Sequence, residues 1–305
     1  MSGFQLSRRA VIRAAAAGVA AMLVASGSVV SAVAEDGSGW VVDATTAREL
    51  IADGAVVLDT RVAKLKAAAP LVGAREVIWQ DFTNADLPNK GQLLEDDSIL
   101  TEKLRGLGIS SDRPVIAVAD SRQGWGEDGR VVWTLRTLGH EKTYLVDGGI
   151  EALSEGGAPV IAEPATPGDF TVERIADYEI KKEELARQIG SSKLVILDTR
   201  EPREYAGETP YGETRGGHVP GAKHMFYKDL VGEDGKILPD AELKARLASL
   251  GVAVGTEVVS YCTGGIRSGF VTAVLNNVGV KARNYAGSMW EWSASPAAEY
   301  PLVTQ

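Results

Sequence analysis

Val258-Val259-Ser260-Tyr261-Cys262-Thr263-Gly264-Gly265-Ile266-Arg267-Ser268-Gly269-Phe270-Val271-Thr272-Ala273-Val274-Leu275 is the stretch from which the fold follows. It opens on a β-branched, aromatic-ended run suited to a buried strand. Two glycines then mark a turn, and Phe270 to Leu275 reads as an apolar helix. A strand that feeds a helix through so short a turn is the unit of an α/β sheet.

Cys262 is the only cysteine of the chain. At a helix N-terminus it meets unpaired N–H groups and partial positive charge. Gly264 and Gly265 allow positive φ and an anion-binding nest of amides. Arg267 adds a fixed cation. Each of these favours thiolate over thiol. The alternative is a structural cysteine buried as a small apolar side chain.

Outward from this stretch the pattern alternates. Short β-branched runs at Val56–Leu58, Val115–Val118, Val195–Leu197 and Val258–Tyr261 are flanked by helical patterns at Ala47–Ala52, Val131–Leu138, Lys182–Ile189 and Ala241–Leu250. The chain is also duplicated. Leu58-Asp59-Thr60-Arg61 matches Leu197-Asp198-Thr199-Arg200, Leu104 to Ile109 matches Leu247 to Val252, and Gly148-Gly149-Ile150 matches Gly287-Ser288-Met289, at offsets of 139, 143 and 139 residues. A near-constant offset is the mark of a repeat. We therefore expect an α/β fold of two tandem domains, each a mostly parallel sheet with helices on both faces. Residues 40–160 form the first domain, 161–174 a proline-rich, semi-rigid linker, and 175–305 the second. In such sheets ligands bind beyond the carboxyl ends of the strands, where Cys262 sits. In the first copy the slot matching Cys262 falls at Asp120, give or take one residue, followed by a longer acidic loop to Asp128. An aspartate there is no sulfur nucleophile and repels anions, so the first copy is expected to be a scaffold. Trp125 of that loop either projects into the shared cleft or packs.

The 305 residues carry a formal net charge of −9. That acidity argues against nucleic acid or an anionic membrane as partner. One cysteine excludes an intramolecular disulfide, and with three histidines it argues against a structural zinc or haem site; no cofactor is expected. Residues 1–34 read as an export signal. Ser7-Arg8-Arg9-Ala10-Val11-Ile12-Arg13 has the twin-arginine form, an uncharged small-residue run follows, and Ala32-Val33-Ala34 precedes Glu35 as a cleavage site. A membrane anchor is the alternative. Cleavage implies a bacterial protein in the periplasm or outside the cell, with no stable membrane association.

Cys262-Thr263-Gly264-Gly265-Ile266-Arg267 resembles the six-residue active-site loop of rhodanese-type sulfurtransferases. Gly217-His218-Val219-Pro220-Gly221-Ala222 is similar to that family's Gly-His-Ile-Pro-Gly-Ala signature, Asp198-Thr199-Arg200 to its Asp-x-Arg strand end, and Gly287-Ser288-Met289-Trp290-Glu291-Trp292 to its C-terminal Gly-Ser-Trp-x-Glu-Trp element. The resemblance implies a tandem pair with an inactive first domain. It implies transfer of a sulfane sulfur from a small anionic donor to cyanide or a thiol through a persulfide on Cys262. The loop amides from Thr263 to Ser268, with Gly264, Gly265 and Ile266 between, and the Thr263 and Ser268 hydroxyls would hold donor and persulfide. Arg267 either binds donor charge or makes a salt bridge across the loop. In the family, basic residues near Arg200 and Arg203 face the donor; Arg200 occupies the Asp-x-Arg position, Arg203 is out of register by one from the tandem pattern, and either can be structural. Arg267 and the exported location favour thiosulfate; 3-mercaptopyruvate as donor and a non-catalytic persulfide carrier are the alternatives. A phosphatase of the related fold would place its arginine six residues after cysteine, and here the interval is five.

Overall fold

The computed structural model describes Met1 and residues 39–304, and the twin-arginine segment with its cleavage site lies outside the described residues. The first copy runs β1 (Val41–Val42), α1 (Ala44–Ala52), β2 (Val56–Asp59), α2 (Ala63–Ala68), β3 (Arg75–Glu76), α3 (Asp97–Gly106), β4 (Val115–Val118), α4 (Glu127–Thr137), β5 (Thr143–Val146) and α5 (Gly149–Ser154). The second runs α6 (Lys182–Gln188), β6 (Leu194–Asp198), α7 (Pro202–Tyr205), β7 (Lys223–His224), α8 (Asp240–Ser249), β8 (Glu257–Tyr261), α9 (Ile266–Asn277), β9 (Ala282–Asn284) and α10 (Ser288–Ala294). The sheets have the orders β1-β5-β4-β2-β3 and β7-β6-β8-β9, with every ladder parallel.

The repeat is in register. Leu58 pairs with Ala117 as Leu197 pairs with Ser260. The Thr60 hydroxyl donates to the Val118 carbonyl as that of Thr199 donates to Tyr261, each at 3.0 Å. Side chains alternate across each sheet. Val57 and Ile116 pack on one face with Ile51 and Leu153, while Val56, Leu58, Val115 and Ala117 pack on the other. In the second sheet Ile196, Val259 and Tyr261 pack with Trp292, and Leu197 and Val258 face α9.

α4 and α9 lie against each other between the two sheets, in one core shared by both copies. Every residue of α4 is buried, including Glu127, Asp128, Arg130 and Arg136. Close approach at this crossing needs small residues: a Cβ on Gly126 or Gly129 would overlap Phe270. The connecting segment is strapped to the first copy. The Gly168 and Phe170 amides donate to Arg105 and Ile109 carbonyls, Arg105 donates to the Phe170 carbonyl, and the Ile175 amide donates to Thr137.

Candidate active site

β8 ends at Tyr261, and Cys262 is the next residue, wholly buried at the floor of a cleft of about 220 Å³. The cleft is walled by Trp79, Trp125 and Glu127 from the first copy and by Tyr211, Arg267 and Trp290 from the second. Gly265 caps α9 with φ +81°, a left-handed conformation natural to glycine, and its N–H donates to Cys262 Sγ at 3.1 Å. Gly264 has another reason for being glycine: a Cβ there would overlap the Trp290 ring. Both glycines allow positive φ, and of the two Gly265 adopts it. Ser288, in the left-handed region at φ 52°, accepts the Cys262 amide on its hydroxyl at 3.1 Å and donates to the Tyr285 carbonyl. A non-glycine residue in that conformation is strained, and here the strained residue fixes the backbone of the cysteine.

Burial pushes the Cys262 thiol up, but the Arg267 charge and the Ser268 and Gly264 amides outweigh it and bring the thiol below its ordinary range. Arg267 is itself buried. It forms two hydrogen bonds with Glu204, at 2.6 and 2.9 Å, and a third at 2.6 Å to the Thr263 hydroxyl. Its guanidinium lies over Trp125 at 5.2 Å and Tyr211 at 5.7 Å. Burial alone would raise the Glu204 carboxyl, and the Arg267 hydrogen bonds and charge bring it below the usual carboxylate value. Arg267 is therefore both a cleft-lining cation and half of a buried ion pair.

The structure gathers Cys262, Thr263, Gly264, Gly265, Ile266, Arg267, Ser268 and Trp125 around the cleft or its floor. The Thr263 hydroxyl, however, donates to Glu204 at 2.6 Å, away from Sγ; the Ser268 hydroxyl donates to Asn284 at 2.7 Å and is also near enough to Sγ to help lower the thiol. Arg200 lies elsewhere, fully buried, in a forked pair with Asp198 and a bond to the Gly217 carbonyl. Arg203 is exposed and bonds Glu201 and the Tyr211 hydroxyl. Neither arginine lines the cleft. His218 stacks on Tyr205 at 3.7 Å and shares a hydrogen bond with the Tyr205 carbonyl, organising its loop. Glu204, Glu127, Tyr211, Trp79 and Ser288 were not singled out from the sequence. Glu204 carried one signal, an acid in a loop-adjacent helix that also reads as a capping pair with Glu201.

In the first copy, strand register puts Ala119 in the slot of Cys262, one residue before Asp120. The Ala119 carbonyl accepts from Ile150 as that of Cys262 accepts from Met289. Gly126, φ +81°, matches Gly265, so Asp128 occupies the place of Arg267. Six residues separate Ala119 from Gly126, against two between Cys262 and Gly265.

A rhodanese-like domain model matches residues 181–295. The chain is 32% identical over 209 residues to the "Probable 3-mercaptopyruvate sulfurtransferase" of Pseudomonas aeruginosa, covering 67% of this chain and 72% of that protein. It is 27% identical over 252 residues to the "Thiosulfate sulfurtransferase" of the same organism, covering 75% and 92%. The Tum1 protein of Saccharomyces cerevisiae superposes with a TM-score of 0.72 at 18% identity, covering 88% of this chain and 99% of that one. A tandem parallel-sheet fold with one thiolate-stabilising loop, joined to these likenesses, leads to one conclusion: the chain belongs to the rhodanese-like sulfurtransferase family.

Proposed function

We propose that Cys262 is the nucleophile and that thiosulfate is the sulfur donor. The thiolate attacks the outer sulfur of thiosulfate, a Cys–S–S bond forms, the donor S–S bond breaks, and sulfite leaves with the electron pair. Cyanide or a thiolate then attacks the terminal persulfide sulfur and releases the Cys262 thiolate. The observation that carries this reading is the Gly265 N–H on Sγ at the floor of an open cleft, with Arg267 beside it. Loop amides and the charge of Arg267, which lines the cleft, would hold the anionic donor. The tryptophan walls suit the organic part of a thiol acceptor.

The ion pair of Arg267 with Glu204 favours a second donor, 3-mercaptopyruvate, because it leaves less net positive charge for an inorganic dianion. Turnover with cyanide decides: thiosulfate exceeding 3-mercaptopyruvate in kcat/KM supports the first reading, and the reverse order assigns the organic donor. We further propose that residues 1–34 are removed on twin-arginine export to the periplasm or cell exterior. The support is the order of paired arginines, uncharged run and Ala-x-Ala. N-terminal sequencing of the native protein should begin near Glu35, and retention of Arg8 in a membrane fraction would refute it. Among the described residues no helix is long and apolar enough to cross a membrane.

A further inference from the structure

Arg130 is a residue of the first copy and a fully buried one. It leaves α4, crosses to the second copy, and ends behind the cysteine loop. Its Nη1 donates to the Gly265 carbonyl at 2.9 Å and its Nη2 to the Gly91 carbonyl at 2.7 Å. Its guanidinium is stacked over Trp133 at 4.6 Å and lies 5.6 Å from the Trp79 ring. Its Nε is buried with no hydrogen-bond partner. Among the described residues it makes no salt bridge; Glu179, the carboxylate that acts on it from a distance, is paired with Lys181. A buried guanidinium without a carboxylate is costly, and a purely structural plug would be cheaper as a neutral side chain.

Its place in the repeat is also informative. The two helices cover each other's N-termini. Phe270 of α9 packs on Gly126, the cap of α4, and Arg130 of α4 packs on Gly265, the cap of α9. An apolar side chain covers the loop without a cysteine, and a cation covers the loop with one. The carbonyl that Arg130 meets belongs to the residue whose N–H donates to Sγ, and it also accepts from the Gly269 amide at 3.2 Å and from Asn284 Nδ2 at 3.1 Å, so Arg130 is its charged donor among three.

We propose that Arg130 is a positioning residue for the Cys262 thiolate, lent by the non-catalytic copy: it joins Gly269 and Asn284 on the Gly265 carbonyl as the charged donor and supplies uncompensated positive charge behind the loop. The second copy alone then has an incomplete thiolate site. Burial drives the Arg130 guanidinium down to about 10, and the Cys262 charge acts to raise it, so the two charges are coupled in the expected sense. The other charged or titratable groups facing Cys262 are Arg267, with Glu204 and Glu213 behind it, and Glu127 and Tyr211 across the cleft. None of these contacts Arg130 by hydrogen bond or salt bridge.

The inference rests on Cys262 being an activated thiol, so the test reads the thiol directly. Ultraviolet thiolate absorbance of the whole chain is titrated against pH, with Cys262→Ser as the blank, for wild type, Arg130→Lys, Arg130→Gln and Arg130→Met. A wild type with no thiolate below the ordinary cysteine range would sink the Cys262 reading itself. Given a depressed wild-type value, Gln and Met should raise it by about one unit and Lys should restore most of the shift, since an opposite charge in range is worth a unit or more. The acid limb of the kcat/KM profile should move up by the same amount, with activity recovered at alkaline pH. Removing an unpaired buried charge should leave the fold intact. Folded Gln and Met variants with a wild-type titration would overturn the proposal, as would failure of both to fold, since Arg130 would then be structural.

Discussion

Cys262 to Gly265 and Ala119 to Gly126 join equivalent strands to equivalent helices, yet the helix after one carries a buried cation that stabilises a thiolate and the helix after the other opens on two buried acids. In the second copy the loop is short, its cap N–H reaches sulfur, and Arg267 follows the cap by two residues. In the first copy four extra residues separate strand from cap, and Asp128 stands where Arg267 does. There burial pushes Asp128 up to about 7, helped by Glu127 and opposed by the Gly129 amide. Gly149 in the first copy takes the left-handed conformation freely at φ +58°, while its counterpart Ser288 takes it under strain and uses its hydroxyl on the Cys262 amide. The strand and helix frame is thus indifferent to chemistry. Loop length, the charge two residues past the cap and one strained serine set it.

The comparison can be broken most severely by moving the thiol. Cys262→Ser combined with Ala119→Cys should have no thiosulfate–cyanide turnover above background, because a thiol at position 119 lacks the nearby cation and the short cap. Recovery to within about tenfold of wild type would mean that loop length and charge do not matter.

Arg267→Ala comes next. Loss of a charge-assisted contact of roughly 1.5–3 kcal/mol should lower kcat/KM by about ten- to a hundred-fold, and the Cys262 pKa should rise. The variant should also lose thermal stability, since an orphaned buried Glu204 costs about 3–5 kcal/mol. Adding Glu204→Ala should return stability but not rate. Lysine at 267 should rescue only part of the rate, having charge without the planar fork. Unchanged turnover in a destabilised Arg267→Ala protein would make Arg267 structural only.

Much of this was legible beforehand because it is local. The run Val258–Tyr261, the paired glycines and the duplication at Asp59-Thr60-Arg61 and Asp198-Thr199-Arg200 lie in short windows whose periodicity and turn chemistry decide their conformation. What escaped was pairing across distance. Glu204 meets Arg267 across 63 positions, and Arg130 meets Gly265 across 135. Arg200 and Arg267 are equally basic in sequence, but Asp198 at two residues' remove folds Arg200 back into the core. The sequence offers a helical pattern only from Val131 and an acidic loop up to Asp128; that Glu127 and Asp128 open α4 and are buried with the rest of it follows from its packing against α9.

The smallest effect concerns stability alone. Folded Asp128 keeps its proton up to about pH 7, whereas the unfolded residue ionises near 3.8. Its stabilising proton is thus fully present below about pH 4 and is lost as pH rises through 7. Asp128→Asn has no proton to lose. It should gain little in Tm at pH 4 and a few degrees at pH 8, with turnover unchanged. A Tm gain independent of pH would contradict the burial of an ionisable Asp128.

The central claim is that this chain carries sulfur on Cys262 and nowhere else. Intact-mass spectrometry after exposure to thiosulfate and removal of excess donor tests it in one step. Wild type should gain the mass of one sulfur atom, lose it on addition of cyanide, and leave Cys262→Ser unmodified. No gain on wild type, or an equal gain on the serine variant, would contradict the account.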